Sequence, residues 1–264
     1  MRKELFYNPG LLIERIAESF AKRRRLAKLK NTVASELAEV HITSMEFLEL
    51  ARKNSNNSIS TIYDLGGNIG TWTQLAKAVI PQAAVHGFEP IPQYQEAYAK
   101  TTAGINNVTL HKVGVGSDNK KEKFNFAAHS SSFLEVSENL TNMFPSQKKT
   151  NEFVVDMVRL DDYVKTNNLP YPDLMKLDVE GYELEVLKGA VNCMENCQYI
   201  VLEVSFIERH IGQPLFHEVV YFMAQHNYFL YSFPEKMHLA QKIYMTDVLF
   251  ENKKFAHKIT KVSA

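Results

Sequence analysis

Hydrophobic positions change their period once along this chain. Across residues 11–52, Leu12, Ile16 and Phe20 recur four apart, and Leu37, Val40, Met45, Leu48 and Leu50 continue an apolar pattern that predicts helices. The run Asn54-Ser55-Asn56-Asn57-Ser58 interrupts it with residues that favour turns. From there, short apolar runs alternate with longer amphipathic segments. Strands are predicted at Ile59–Tyr63, Ala83–Phe88, Val108–Val113, Leu174–Leu177, Tyr199–Val204, Tyr228–Phe233 and Asp247–Phe250. Helices are predicted near Trp72–Val79, Ile91–Thr101, Glu183–Val191 and Phe216–His226. Buried strands alternating with helices predict an α/β fold around a mainly parallel, doubly wound sheet. Residues 117–162 break the alternation: Phe124–Ala127 and Phe153–Leu160 read as extra strands around the loop Ala128–Thr150. A loop of that length suits a lid over a ligand. The expected organisation is a helical extension, 1–55, and one domain, 56–264, with 117–162 as its insertion.

Composition narrows the class. A chain of 264 residues with 45% hydrophobic and 23% charged residues can build a sizeable core under a globular surface. Thirty basic and thirty acidic residues give a net charge of +0, which argues against a nucleic-acid partner. The run Lys22-Arg23-Arg24-Arg25 reads first as a solvated helix face, and otherwise as a contact for phosphates or an anionic membrane. No stretch approaches a membrane span and the start lacks a secretion-signal layout, so a cytoplasmic protein is expected. Cys193 and Cys197 are too few for a disulfide scaffold or a four-thiolate zinc site, and read as buried structural thiols. The N-terminal helices would suit a homodimer contact, a cover for an acceptor site or a docking point for a carrier.

The most informative stretch is Ile62-Tyr63-Asp64-Leu65-Gly66-Gly67-Asn68-Ile69-Gly70-Thr71-Trp72, a strand ending in an acid, a glycine turn and a helix start. Such a turn permits close approach of a ligand, and the helix start offers unpaired N–H groups. Dinucleotide sites use G-x-G-x-x-G against a pyrophosphate. The spacing here differs, and Asp64 would repel that group. An acid beside the turn instead suits a ligand with a positive charge and an amine. S-adenosylmethionine has both, with a carboxylate for the helix and a ribose diol. Glu89, in Gly87-Phe88-Glu89-Pro90, ends the second strand where it can accept from both ribose hydroxyls. Trp72 reads as a core residue with only a secondary ligand contact.

A second acidic cluster follows in Asp173-Leu174-Met175-Lys176-Leu177-Asp178-Val179-Glu180-Gly181-Tyr182-Glu183-Leu184-Glu185, and Glu203 sits at the next strand end. Two mechanisms fit. Asp178 or Glu180 takes the proton of an acceptor hydroxyl, with Lys176 tuning it. Alternatively, Asp178 and Glu203 hold a hard divalent ion, although no histidine lies at ligand spacing and a metal is not expected. Glu180 and Glu183 could also simply cap the helix. His210 and His217 follow the Glu203 strand, and His210 is an alternative base. The aromatic series from Tyr221 to Phe233 reads as core, with a sugar-stacking surface as its rival.

Together these segments resemble the FkbM family of S-adenosylmethionine-dependent methyltransferases. The resemblance rests on Asp64-Leu65-Gly66-Gly67-Asn68-Ile69-Gly70, Phe88-Glu89-Pro90, Ser130-Ser131-Ser132 and Val158-Arg159-Leu160-Asp161-Asp162-Tyr163. Its most specific part runs from Lys176-Leu177-Asp178-Val179-Glu180-Gly181-Tyr182 to Lys188-Gly189-Ala190. It covers about residues 59–205, agrees more weakly to Phe250, and omits the first fifty or so. It implies a Rossmann-like class I methyltransferase fold and methyl transfer to a hydroxyl of a sugar, glycan or natural product. By resemblance, Asp64, Gly66, Asn68 and Gly70 line the cofactor's methionine part, with Gly67 where the family often has alanine. Glu89 would hold the ribose, Gly114 and Val115 would lie near the adenine, and Ser131 and Ser132 at the pocket edge. The rivals are an NAD(P)-dependent oxidoreductase and a non-catalytic binding module on the same fold.

Overall fold

The computed structural model describes residues 16, 19–20, 23–35, 37, 42–127, 130–146, 149–234 and 243–256. Leu12, Lys22 and Val40, on which the N-terminal pattern leans, lie outside them. Residues 23–29 are helical. The chain continues through α1 (Ile42–Asn54), β1 (Thr61–Leu65), α2 (Thr71–Val79), β2 (Ala84–Phe88) and α3 (Pro92–Thr101). It runs on through β3 (Val108–His111), β4 (Gly114–Gly116), β5 (Lys120–Phe126), α4 (Glu138–Met143), β6 (Asn151–Arg159) and α5 (Leu160–Thr166). The last part holds β7 (Leu174–Leu177), α6 (Glu183–Lys188), α7 (Val191–Asn196), β8 (Tyr199–Ser205), α8 (Phe216–Gln225), β9 (Tyr228–Ser232) and β10 (Met245–Asn252).

Seven strands form one sheet in the order β3-β2-β1-β7-β8-β10-β9. Neighbours from β3 to β8 are parallel, whereas β10 runs antiparallel to both β8 and β9. Every residue of β1 and of β7 is buried, as expected for strands covered on both faces. Their two charged members, Asp64 and Lys176, are register neighbours, so each compensates the other. One face packs Ile62, Val85, Leu174 and Val201 under α1 and α2 through Phe47, Leu48, Ala51, Trp72 and Leu75. The opposite face packs Tyr63, Phe88, Met175 and Leu202 under α5, α6, α7 and α8. The predicted α/β doubly wound architecture is thus present, with a second sheet, β4-β6-β5, beside it.

Several boundaries differ from the sequence reading for physical reasons. β1 runs to Leu65, which places Asp64 inside the strand, where the sequence had it at the strand's end. The run Val108–Val113 is shortened: β3 stops at His111, and a separate strand just beyond the run, Gly114–Gly116, pairs with β6 in the smaller sheet. Leu160 starts a helix where the sequence predicted a strand's end, and α4 lies inside the predicted loop, capped by the Ser137 hydroxyl oxygen accepting from the Leu140 amide. The helix predicted over 183–191 is two helices. Gly189 stands between them, where a Cβ would meet the Gly116 carbonyl oxygen at 2.0 Å. Asp161 caps the second from outside, accepting from the Asn192 and Cys193 amides at 3.0 Å each. Cys193 and Cys197 are both buried.

Candidate active site

Three strand ends build the site. The amides of Gly66 and Gly67 both donate to the Phe88 carbonyl, at 3.1 and 2.9 Å, which draws the glycine turn across the end of β2. Gly66 has φ +83°, and a Cβ there would stand 2.0 Å from the Asp178 carbonyl oxygen, so the turn also lies against the end of β7. Only glycine allows both the angle and the approach. Between these ends lies a cavity of about 340 Å³. Its lining includes Gly66, Gly67, Asn68, Glu89, Gly114, Val115, Ser131, Lys176, Asp178 and Glu180, residues that the sequence singled out. The aromatic wall of Tyr94, Phe124 and Phe133 was not anticipated. Phe124 and Phe133 come from the 117–162 segment, which therefore does border the cavity.

Each charged group has a defined setting. Glu89 is 4% exposed and accepts from the amides of Asn68 and Ile91, both at 2.8 Å. Burial pushes its carboxyl up to about 7, with the two amides and Lys176 opposing the shift. Lys176 donates to the Gly66 carbonyl (2.9 Å) and pairs with Asp64 at 3.2 Å and Asp178 at 3.5 Å. Burial disfavours its charge, but the two aspartates outweigh that and raise its pKa above the ordinary lysine range. Lys176 is therefore a fixed ammonium and no base. Glu180, in the left-handed region at φ 51°, accepts from Arg209 at 3.2 Å. Arg209 also binds Glu203 and donates to the Ser205 hydroxyl at 3.2 Å. Burial raises both glutamates above the usual carboxylate range, and Arg209 opposes this.

Four expectations need correction. Asp64 does not line the cavity: it is fully buried, accepting from the Thr73 hydroxyl (2.8 Å) and pairing with Lys176. Its charge is already neutralised, so it is not offered to a cationic ligand. The cause is the two-residue extension of β1. Gly70 is likewise not part of the lining; it caps α2 and packs on Tyr98 and Thr102. Ser132 is buried, its hydroxyl oxygen accepting from the Leu134 amide. His210 is buried with Nε2 3.1 Å from the Ser130 carbonyl, off the cavity wall. Glu183 takes its capping role, accepting from the amides of Val179 (3.3 Å) and Gly181 (3.1 Å). A metal shared by Asp178 and Glu203 is disfavoured by the guanidinium that already holds Glu203. Arg209 carried no local sequence signal, because nothing near it in the chain marks its partners.

The methyltransferase FkbM domain family matches residues 64–230, which include the whole of this cavity. The chain belongs to that family. It is similar to Methyltransferase 1 of Beauveria bassiana, 31% identical over 144 residues, covering 49% of this chain and 58% of that protein. It is also similar to the hexuronic acid methyltransferase AglP of Haloferax volcanii, 26% identical over 144 residues, covering 54% of this chain and 55% of that one. A third relative, the 2-O-methyltransferase NoeI of Sinorhizobium fredii, is 23% identical over 160 residues, covering 58% and 66%. The chain thus spans little more than half the length of the first two. Among solved structures, cofactor-bound Rv0187 from MTB aligns with a TM-score of 0.49 and 13% identity, over 88% of either chain.

Membership of this methyltransferase family supports S-adenosylmethionine as the cofactor, and the lining of this FkbM-domain protein fits it. Pro90, Ile91, Val113, Val115, Phe124 and Phe133 provide apolar surface for a flat base. Glu89 keeps lone pairs for a diol beyond its two amide bonds. The start of α2 has no side-chain cap, which leaves a positive helix end for a carboxylate. Among the described residues, no helix is long and apolar enough to cross a membrane.

Proposed function

We propose that this protein is an S-adenosylmethionine-dependent O-methyltransferase that acts on a hydroxyl of a sugar, glycan or related natural product. The observation that carries the reading is one cavity bordered by the glycine turn and Glu89 on one side and by Asp178 and Glu180 on the other. S-adenosylmethionine, when bound, supplies an electrophilic methyl group on a sulfonium. The chain's own residues must orient the acceptor and receive its proton. Asp178 is the partly exposed carboxylate of the cluster, with the Lys176 ammonium 3.5 Å away. It is the base in this reading. Glu180, clamped by Arg209, orients the hydroxyl. The sugar class is supported by the hexuronic acid and 2-O-methyltransferase relatives.

Labelled-methyl transfer from S-adenosylmethionine to a saccharide panel tests the activity, with label expected on oxygen. Label on nitrogen or carbon would overturn the assignment. Asp178→Asn should bind S-adenosylhomocysteine like wild type yet lose about 10²–10⁴-fold in turnover, the usual contribution of a general base. Near-normal turnover would remove Asp178 from the role.

A further inference from the structure

Among the described residues, four buried side-chain atoms have no hydrogen-bond partner: Asp64 Oδ1, Trp72 Nε1, Asn125 Oδ1 and His210 Nδ1. Asp64 has its ion pair with Lys176, and neither Asn125 nor His210 borders the cavity. Trp72 does. It is 2% exposed and stands in the first turn of α2, directly after the glycine turn. Its ring packs into the core under α1, which accounts for the hydrocarbon but not for the N–H. An indole nitrogen is a donor only, and a buried donor left unpaired is costly. The first turn of α2, nine residues long, lacks a side-chain cap as well, because Gly70 at that position has none to give. The residue that carries this orphaned donor and the positive helix end therefore share one stretch of cavity wall.

We infer that the Trp72 indole N–H is a ligand donor, and that it takes the carboxylate at the amino-acid end of S-adenosylmethionine. The inference rests on the cofactor assignment above. The carboxylate is the ligand's one anionic group and its strongest acceptor, so it answers both features at once. The other walls suit other parts: apolar side chains suit the base, and the Glu89 carboxylate needs donors. Trp72 is also the only tryptophan in the chain, so its emission reports directly on what reaches this wall.

The test compares two probes, S-adenosylhomocysteine and 5′-methylthioadenosine, which keeps the nucleoside but has no carboxylate. In calorimetric titrations, Trp72→Phe should weaken S-adenosylhomocysteine by about tenfold to a hundredfold, the scale of one hydrogen bond to a charged acceptor. It should leave methylthioadenosine within about twofold. Equal loss for both probes would mean that the ring acts by packing alone, and no loss for either would mean no contact; each overturns the inference. Emission of the wild-type protein gives a check that needs no variant. Saturation with S-adenosylhomocysteine should shift it and saturation with methylthioadenosine should not, whereas equal responses would overturn the inference. A wild-type protein that binds neither probe would bring down the cofactor assignment and this contact together.

Discussion

Burial pushes the Glu89 carboxyl up to about 7 even though the Asn68 and Ile91 amides favour its charge. A ribose diol donates two protons and needs the ionised acid to receive both. Binding should therefore release a proton below pH 7, and cofactor affinity should climb between pH 6 and 8, approaching tenfold per unit at the acid end. Glu89→Gln should bind more weakly at pH 8 and lose this slope; a slope that survives in the variant would assign it to Glu180 or another neighbour instead. The stability of the empty protein moves the other way. A carboxyl whose folded pKa is raised contributes stability that is full below about 4.5 and lost as pH rises through about 7. The melting temperature of Glu89→Gln should thus improve relative to wild type between pH 5 and 8. The place of Glu89 on the cavity wall was legible because an acid at a strand's carboxyl end sits at the crevice. Asp64 met the same rule on paper and failed it by two residues, because composition does not mark where a buried strand stops.

The segment that follows β8 acts as one unit with the turn that follows β7. Arg209, on the former, is 2% exposed and reaches Glu180 in the turn and Glu203 in the strand. Gln213 on the same segment secures it, its amide oxygen accepting from the Arg209 and His210 amides at 3.0 and 3.2 Å. Arg209→Met would strand two largely buried carboxylates, a loss that approaches the roughly 3–5 kcal/mol seen when one partner of a fully buried pair is removed. At about 2–4 °C per kcal/mol, the melting temperature should fall on the order of 10 °C. Protonation relieves stranded acids, so the deficit should be smaller at pH 5 than at pH 8, and adding Glu203→Gln should recover part of it. A deficit independent of pH would mean that the arginine matters only as filling. No periodicity in the sequence exposes such a clamp, since its members meet only after β7 and β8 pair. Local elements fared better: β7 was predicted to the residue, because a short apolar run between polar turns has few other fates. β4 was invisible, three residues with two glycines being too short to show a pattern, and antiparallel β10 reads like any buried strand.

At the scale of the whole molecule, the sheet separates two cores, and the polar run at 54–58 divides the sequence without dividing either core. The division into an extension, 1–55, and a domain, 56–264, followed a change of hydrophobic period, which marks where helices give way to strands. Packing ignores that line. Met45, Phe47, Leu48 and Ala51 of α1 are buried in the same cluster as Ile62, Trp72, Leu75, Val85 and Leu249. Arg25 and Lys28 of the preceding helical segment pair with Glu46 and Glu49 of α1. Removing residues 1–55 would take α1 off this face and leave only α2 over it, uncovering the residues that Met45, Phe47, Leu48 and Ala51 pack against. Fully burying each such large side chain contributes about 1.5–3 kcal/mol, while single domains retain a net stability of only about 5–15 kcal/mol. A fragment of residues 56–264 should therefore be insoluble or lack a cooperative melt, and Phe47→Ala in the full chain should cost about 3–5 kcal/mol. Circular dichroism on heating decides both. A fragment that melted like the full chain, and still bound S-adenosylhomocysteine, would make α1 a removable cover and would return the first 55 residues to a role in acceptor or partner binding.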